Sequence, residues 1–381
     1  MQMSGPLKGI KIIEMAGIGP GPYAGMLLAD MGAEVIRIDR AAAQANPSEV
    51  TSRGKRSIVL DLKKSESVEL VLTLLKSADA LFEGFRPGVM EKLGLGPDIC
   101  LQRNPRLVYG RMTGWGQDGP LSKTAGHDIN YIAVTGALDA IGRADSGPVP
   151  PLNLVGDYGG GSMFLVTGML AALLEAKNSG KGQVVDAAIT DGVISLMAPT
   201  QAYLAGGTWE VQRQSNWLDG GSHFYDTYVC ADGKYVSIGS IEPQFYALLA
   251  EKLELDLGEG GYTHLFEKDK WPLYKKAISD RIRTKTRDEW CGIMEGTDVC
   301  FAPVLNMNEA TDYAHNTARK NYVEVDGVQQ SAPAPRFSRT PSTIQSGPCA
   351  AGAQTSSILS DAGYSQQDIQ ALETAGVIEH E

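Results

Sequence analysis

The chain has 381 residues, with 43% hydrophobic and 21% charged residues, which is ordinary for a soluble globular protein of one large or two smaller domains. Its formal net charge of −11 excludes general nucleic-acid binding, because there is no basic surplus to neutralise phosphates. The five cysteines are scattered and form no CxxC pair, so neither a zinc site nor a disulfide framework is indicated, and a reducing compartment is expected.

Neither end of the chain shows a recognisable targeting signal. The first residues lack a basic-then-apolar signal pattern, and the last ones form no peroxisomal tripeptide. The longest apolar runs, such as residues 163–174, look too short and too interrupted to cross a bilayer. We therefore expect a soluble, cytoplasmic protein with no membrane partner.

The N-terminal segment has the pattern of a βαβ unit. Residues 10–15 predict a strand, 23–32 a helix ended by glycine, and 33–39 a second strand. Glycines follow the first strand, but Pro20 and Pro22 stand where a dinucleotide fingerprint needs its last glycine. A tight turn explains these glycines, so a dinucleotide site is disfavoured.

Three basic residues follow predicted strands. Arg40, Lys63 and Arg86 each lie in a loop at the carboxyl end of a strand, where open α/β sheets bind ligands. Such a cluster suits the phosphates of a nucleotide-like ligand. A solvated surface is the alternative, and the sequence leaves both open.

The remaining elements divide into two groups. The first group continues the alternation of strands and helices: helix 68–75, strands 79–83 and 107–112, helices 129–138 and 162–177, strand 182–189 and helix 191–205. The second group reads as a smaller α+β unit: strands 225–231 and 234–238, with helices from Pro243, Trp271 and Asp288. A Gly- and Pro-rich segment from 327 to 348 follows, and the next predicted helix is 365–374.

Two segments offer candidate acid–base residues. His127 lies among small and polar residues, and Asp157 ends an apolar run and precedes three glycines. Facing each other across a pocket, they would form a two-base proton-transfer site. Taken singly, each has an ordinary explanation: His127 as a packed or surface histidine, Asp157 as a helix N-cap, and Glu242-Pro243 as the start of a helix.

Other common catalytic patterns are absent from the sequence. The five histidines show no metal-site spacing, so no metal is expected. There is no GxSxG elbow and no Walker loop, which disfavours serine acyl transfer and P-loop phosphoryl transfer.

Several segments in order strongly resemble α-methylacyl-CoA racemases, which belong to the family III CoA-transferase (CaiB/BaiF) superfamily. The likeness runs from about Pro6 to Thr340 and is carried by residues 126–131, 151–157, 180–187, 241–246 and 335–338. It implies an α/β fold with a large Rossmann-like domain and a smaller α+β domain. The implied limits are 1–205 for the large domain, 206–224 for a linker, 225–326 for the small domain and 327–381 for a return segment that completes the large domain.

The resemblance also implies an interlocked homodimer with active sites at the interface. The long connections 209–222 and 327–348 fit this arrangement, because a compact monomer would not easily explain them.

Site residues follow from the matched motifs. His127 and Asp157 match the two catalytic bases, and Glu242 matches a glutamate that orients the histidine. The residues that match coenzyme A binding are Arg40, Leu60, Asp61, Leu62, Lys63, Arg86, Gly126, His127, Asp128, Ile129, Asn130 and Tyr131. The residues assigned to the substrate pocket are Ile18, Gly220, Gly221 and Tyr225. Ser222-His223 departs from the smaller or more apolar residues expected there, which leaves the preferred acyl group open.

The implied reaction is the interconversion of (R)- and (S)-2-methylacyl-CoA through an enolate, without a prosthetic group; coenzyme A enters as part of the substrate. Backbone N–H groups in residues 157–162, at an expected helix start, would stabilise the enolate oxygen. Two alternatives remain. One is a CoA transferase that uses Asp157 as a nucleophile, and the other is a non-catalytic CoA-binding protein. His127 and the Gly17-Ile18-Gly19 turn favour the racemase.

Overall fold

A computed structural model describes residues 4–258 and 262–378. The strands, in chain order, are β1 Lys11–Met15, β2 Glu34–Asp39, β3 Lys55–Val59, β4 Ala80–Glu83, β5 Val108–Thr113, β6 Gln183–Ala188, β7 Tyr225–Val229, β8 Tyr235–Gly239, β9 Phe301–Val304, β10 Tyr322–Val325 and β11 Val328–Ser331.

The helices in the first half of the chain are α1 Pro20–Asp30, α2 Ser65–Leu75, α3 Val89–Lys92, α4 Pro97–Arg103, α5 Asp128–Ala133, α6 Ala137–Ala140, α7 Met163–Ser179, α8 Ile189–Leu196 and α9 Ala198–Ala205. A π-helix, Leu154–Ser162, leads directly into α7. The later helices are α10 Pro243–Leu253, α11 Trp271–Ile282, α12 Arg287–Met294, α13 Met307–Asp312, α14 Ala314–Ala318, α15 Thr355–Asp361 and α16 Gln366–Thr374; the 3₁₀ turns are Val50–Ser52 and Tyr262–Leu265.

The chain folds into two compact units. The first contains the residues up to Thr135, Leu152–Leu196 and the chain from Lys320 onward, and the second contains Gly136–Pro151 and Met197–Arg319. These units depart from the predicted limits. Residues 136–151 and α9 belong to the second unit, and the return to the first unit comes at Lys320 rather than at 327.

The first unit is built on a six-stranded sheet in the order β3-β2-β1-β4-β5-β6. All of its pairings are parallel, as in a doubly wound nucleotide-binding fold. The strand order reverses between β1 and β4, which opens a crevice at the carboxyl ends of these strands. Buried aliphatic residues of the strands pack against α2, α15 and α16 on one face of the sheet.

The second unit contains an antiparallel sheet, β7-β8-β9. Helices α10, α11 and α12 contribute Leu249, Ile278 and Trp290 to a separate hydrophobic core. The predicted α+β character of this part of the chain is thus present, with the third strand, β9, missed by the sequence analysis.

Helix boundaries differ from the sequence expectations where glycine or proline ends a run. The predicted helix 129–138 stops at Ala133, because Gly136 adopts a left-handed conformation with φ 83°. The predicted helix 191–205 is two helices, since Pro199 in the first turn of α9 cannot continue α8. Strand β11 lies in the Gly- and Pro-rich segment 327–348, where it pairs with β10, and helix α15 precedes 365–374, the next helix that the sequence predicts.

The expectation that the apolar runs are too short to cross a bilayer is wrong by length and composition. Among the described residues, the continuous helical run Leu154–Ser179 is apolar enough and long enough to do so. Within its most apolar window 44% is buried, and α7 packs against β5 and β6.

Arg53 connects the return segment to the sheet. Its guanidinium forms a buried ion pair with Asp30, with Nη2 to Oδ2 at 2.6 Å, and both side chains are 1% exposed. Its Nη1 donates to Gln330 Oε1 at 2.7 Å and to the Ser331 carbonyl at 2.8 Å. A buried charge of this kind is tolerated because every strong partner is present.

Replacing Arg53 tests this connection. We expect Arg53→Ala to lower the free energy of unfolding by about 3–5 kcal/mol, because it leaves the buried Asp30 carboxylate without its partner. Denaturant titration measures the change. The control is Arg103→Ala, which removes an exposed pair with Glu69 at 2.8 Å and should cost about 1 kcal/mol or less. Equal losses in the two variants would contradict the assignment.

Candidate active site

A cavity of about 360 Å³ opens at the carboxyl ends of β1, β4 and β5, all within the first unit. This is the position that the strand order predicts for a ligand. Its walls come from the β1–α1 turn, the loops after β4 and β5, the start of α5 and the π-helix. The lining includes Ile18, Gly19, Phe85, Arg86, Trp115, Gly126, His127, Tyr131, Asp157 and Ile189. His127 and Asp157, thirty positions apart in the sequence, therefore line one cavity.

His127 immediately precedes α5 in an extended conformation, and its side chain is exposed to the cavity. Its backbone N–H donates to Asn130 Oδ1 at 3.0 Å, which caps the helix. Tyr131 donates from its hydroxyl to the Gly126 carbonyl, and its ring packs edge-on against Trp115 at 4.8 Å. The contacts of Asn130 and Tyr131 therefore fix the backbone on both sides of His127, from which the imidazole extends.

Asp157 lies in the first turn of the π-helix, not at the N-cap of α7 as the sequence suggested. Its Oδ2 accepts a hydrogen bond from Asn153 Nδ2 at 3.2 Å, and its backbone N–H donates to Asp128 Oδ2 at 2.7 Å. Burial raises the pKa of Asp157 above its ordinary value; Asn153 and His127 act against this, and the charge of Asp128 adds to it. A raised pKa makes this carboxylate a better base.

Gly19 brings the β1–α1 turn close to Asp157. It has φ 69°, and a Cβ at this position would lie 3.3 Å from Asp157 Oδ2. The neighbouring Ile18 side chain is 82% exposed and lines the same cavity. Glycine at position 19 therefore allows the backbone to approach the Asp157 carboxylate closely.

The expected oxyanion donors in residues 157–162 are not available. In a π-helix each N–H donates to the carbonyl five residues earlier, so the N–H groups of Gly159–Ser162 point into the helix. The N–H of Asp157 is taken by Asp128. In the first turn of α5, the N–H groups of Asp128 and Ile129 have no intrahelical acceptor.

Arg86 lines the cavity from the loop after β4, and this loop is fixed by Glu83. Glu83 accepts the Phe85 N–H at 2.7 Å and the Arg111 Nε–H at 3.1 Å. Burial raises the pKa of Glu83 to about 7, against the opposing effects of these two donors. Neither Glu83 nor Asn153 was expected from the sequence, because an acid ending a strand and an asparagine between two leucines carry no pattern of their own.

Eight of the twelve expected coenzyme A residues do not line this cavity. Arg40, Asp61 and Lys63 are exposed beyond the carboxyl ends of β2 and β3, whereas Leu60 is buried in the core and Leu62 packs against it. On α5, Ile129 and Asn130 are exposed, whereas the Asp128 carboxylate is buried against the π-helix. Their binding roles stay predictions.

The remaining expected residues belong to the second unit. Glu242 is half-buried and precedes Pro243 at the start of α10, as the sequence indicates. Gly220 and Tyr225 line a cavity of about 800 Å³ within that unit. Gly221 lies in a tight loop that Asp219 holds, because Asp219 Oδ1 accepts the Gly221 N–H at 3.0 Å.

Ser222 and His223 are both fully buried in the second unit. His223 Nε2 is 2.8 Å from the Tyr246 hydroxyl, and burial lowers the pKa of His223 to about 3. These two residues pack in the core and do not line the cavity that contains Gly220 and Tyr225. The departure from the expected motif is therefore a packing feature within this unit.

No metal site is found in the described ranges, 4–258 and 262–378, where no three His, Cys, Asp or Glu side chains are grouped to hold an ion. His380 lies outside those ranges.

Comparisons with known proteins agree with the motif resemblance. A family model described as CoA-transferase family III matches residues 7–355. The alpha-methylacyl-CoA racemase of Mus musculus is 44% identical over 377 residues, covering 98% of this chain and 97% of the mouse protein. That of Homo sapiens is 42% identical over 376 residues, covering 98% of this chain and 97% of the human protein.

A solved structure shares the fold. A CAIB/BAIF family protein from Brucella suis has a TM-score of 0.79 at 25% identity, covering 94% of this chain and 100% of that chain. The expected resemblance and the α/β fold class are thus confirmed, whereas the interlocked dimer stays a prediction.

The hydrogen bond from Asn153 gives a testable prediction. Because Asn153 donates to the Asp157 carboxylate, it stabilises the ionised form, and Asn153→Ala should raise the pKa of Asp157 further. Carboxyl ¹³C NMR titration measures the shift. The control is Asn308→Ala at an exposed position in the second unit, which should leave that titration unchanged. A fall in the Asp157 pKa would show that the bond does not act as described.

Proposed function

Because this chain belongs to CoA-transferase family III, we propose that it is an isomerase that interconverts (R)- and (S)-2-methylacyl-CoA thioesters. The observation that carries the proposal is that His127 and Asp157 line one cavity at the carboxyl ends of the parallel strands. The high identity to racemases of mouse and human supports this reaction within the family.

The proposed reaction is a proton transfer at one carbon. The thioester carbonyl acidifies the hydrogen on the adjacent carbon, and the ionised Asp157 removes it. The electrons of the broken C–H bond move into the carbonyl and give an enolate. The imidazolium of His127 then delivers a proton to the opposite face, which inverts the centre; in the reverse direction the two residues exchange roles.

The enolate oxygen requires hydrogen-bond donors where its charge develops. We assign this role to the first-turn N–H groups of α5, those of Asp128 and Ile129. They follow His127 directly, at the positive end of the helix dipole. Donors of this kind are worth roughly 3–4 kcal/mol each when removed by mutation.

The coenzyme A portion would run from the cavity rim toward the ends of β2 and β3. Arg86 at the rim, with Arg40 and Lys63, supplies positive charge for phosphates. The reaction needs no prosthetic group, because the thioester itself stabilises the carbanion. Branched fatty acyl, bile-acid-like and arylpropionyl groups all suit a mostly apolar pocket.

The protein is proposed to act as an interlocked homodimer in which Glu242 orients His127. A carboxylate beside an imidazole fixes its orientation and stabilises its charged form. This part rests on the family resemblance and on the exposed position of His127, which leaves its ring accessible to a residue from outside the first unit. A cytoplasmic location also stays a prediction.

Solvent isotope exchange tests the reaction. In heavy water the protein should replace the α-hydrogen of a 2-methylacyl-CoA by deuterium while racemising it, without a second carboxylic acid; mass spectrometry and chiral analysis follow both events. His127→Ala and Asp157→Ala should each reduce racemisation by roughly 10²–10⁴-fold, because each removes one acid–base group. Asp98→Ala, at an exposed site on α4, is the control and should remain active.

A different outcome would identify the alternative function. Transfer of coenzyme A to an added carboxylic acid, with no deuterium incorporated, would show a CoA transferase that uses Asp157 as a nucleophile. Binding of the thioester with neither reaction would leave a non-catalytic binding protein.

Mixed dimers test the origin of Glu242. If Glu242 acts on His127 of the partner subunit, co-expressed His127→Ala and Glu242→Ala chains form mixed dimers with one intact site. Random mixing should then restore about a quarter of wild-type activity, since half of the dimers are mixed and each has one of two sites. A co-expressed pair no more active than the separate variants would place both groups on one chain or remove Glu242 from the site.

A further inference from the structure

The return segment covers the outer edge of the six-stranded sheet. β3 is the outermost strand, so its outer row of backbone groups is open to a further partner. The return segment supplies one: the Ser57 N–H donates to Gln354 Oε1 at 2.9 Å, and the Gln354 N–H donates to the Ser57 carbonyl at 3.2 Å. Beyond the end of β3, Leu60 forms an isolated antiparallel bridge with Ile378. The return segment therefore runs beside β3 and reaches the loop that follows it.

The loop after β3 is held at both of its ends. At its beginning, Leu60 is buried in the same hydrophobic core as Val377 and Ile378. At its end, the Lys64 Nζ donates to the carbonyl of Gly376, which follows α16. Aliphatic burial and a charge-assisted hydrogen bond thus fix the course of this loop against the return segment.

The two lysines of this loop have different surroundings. Lys64 is half-buried and its ammonium group binds Gly376, whereas the neighbouring Lys63 side chain is exposed. The Asp61 Oδ1 accepts the Lys63 N–H at 3.1 Å, and the Asp61 carbonyl accepts the Lys64 N–H at 2.9 Å, which closes a tight turn. With Lys64 anchored in this turn, Lys63 lies at the surface, where its charge is accessible to an anionic ligand.

The return segment also holds the loop after β2, which begins with Arg40. The Ala351 N–H donates to the Ala43 carbonyl at 2.8 Å, three residues beyond Arg40. On the other side of Arg40, Asp39 Oδ2 accepts the Ser57 hydroxyl at 2.6 Å. Because the backbone of Ser57 pairs with the return segment, the residues on both sides of Arg40 are connected to that segment.

We propose that the return segment is a positioning element for coenzyme A. Its contacts at Ala351 and at residues 376–378 order the two loops that present Arg40 and Lys63 to the phosphates of the 3′-phospho-ADP portion. Ordered loops lose less conformational freedom when the ligand binds, which strengthens binding. This inference rests on the proposed function. The return segment itself contacts neither the phosphates nor the reacting carbon in this scheme.

Ile378→Ala tests the position of the loop without altering a basic residue. It removes the buried side chain opposite Leu60. Leu107→Ala is the matched control, because Leu107 is buried in the same hydrophobic core but lies at the amino end of β5, away from the ligand loops at the carboxyl ends of the strands. Both variants remove an aliphatic side chain from that core, so both lose stability by the same mechanism.

Two substrates separate binding of the nucleotide portion from the reaction. One is a 2-methylacyl-CoA, and the other is the same acyl group on pantetheine, which keeps the thioester but lacks the phosphates. Chiral analysis gives kcat and KM for racemisation of each, and circular dichroism verifies folding. Wild type should have the lower KM for the coenzyme A thioester, because only that substrate reaches Arg40 and Lys63.

Ile378→Ala should raise KM for the coenzyme A thioester about 5–50-fold with kcat within about twofold, because two long basic side chains must then be ordered on binding. For the pantetheine thioester, its kcat/KM should stay within about twofold of wild type. Leu107→Ala should match wild type with both substrates to within about twofold.

Three results would overturn the inference: a wild-type KM for the coenzyme A thioester in Ile378→Ala, equal losses with both thioesters, or the same selective loss in Leu107→Ala. If Ile378→Ala does not fold, Ile378→Val decides by the same comparison, since it removes a single methyl group and should give a smaller selective rise in KM.

The wild-type protein distinguishes this inference from the proposed function. A folded wild type that racemises neither thioester rejects the proposed function itself. An active wild type with equal KM for the two thioesters, or with any of the three results above, rejects only the role of the return segment.

Discussion

The hydrogen bond between the Asp157 N–H and the Asp128 carboxylate joins two parts of the chain that the sheet alone does not bring into register. His127 follows a long loop after β5, and Asp157 follows residues 136–151, which belong to the second unit. Parallel strands fix the points at which such loops begin, but they do not fix the position of a side chain within a loop. The bond to Asp128, with glycine at position 156, specifies that position.

Buried ion pairs in the first unit stabilise the elements that carry this site. Lys55 on β3 pairs with Glu14 on β1 at 2.6 Å, and its Nζ donates to the Pro22 carbonyl at 3.0 Å. This contact anchors the first turn of α1, and therefore the Gly19 turn that approaches Asp157. Burial moves both pKa values toward the neutral forms, upward for Glu14 and downward for Lys55. Arg53 anchors the return segment through its buried ion pair with Asp30 and its hydrogen bond to Gln330.

The sequence predicted much of the first unit, because its elements are strongly periodic and their ends are marked. The β-branched run 10–15, the helix ended by Gly32 and the run 33–39 all correspond to observed elements. The π-helix could not be predicted, since its wide turn depends on contacts with α1, α5 and α8 and not on a residue pattern. For the same reason the sequence pattern suggests an N-cap as the ordinary explanation of Asp157 and predicts oxyanion donors in residues 157–162, whereas the structure has a π-helix there.

The sequence by itself determined the chemistry available to this protein: a histidine, an aspartate and a glutamate in motifs that match one family, and basic residues after strands. Local patterns and motif order suffice for this, because they depend on residue type and spacing. Only the tertiary structure decided that His127 and Asp157 line one cavity, that Asn153 and Asp128 contact Asp157, and that His223 is buried packing. These facts arise from contacts between residues far apart in the chain, where close packing selects one arrangement among many that the same local pattern allows.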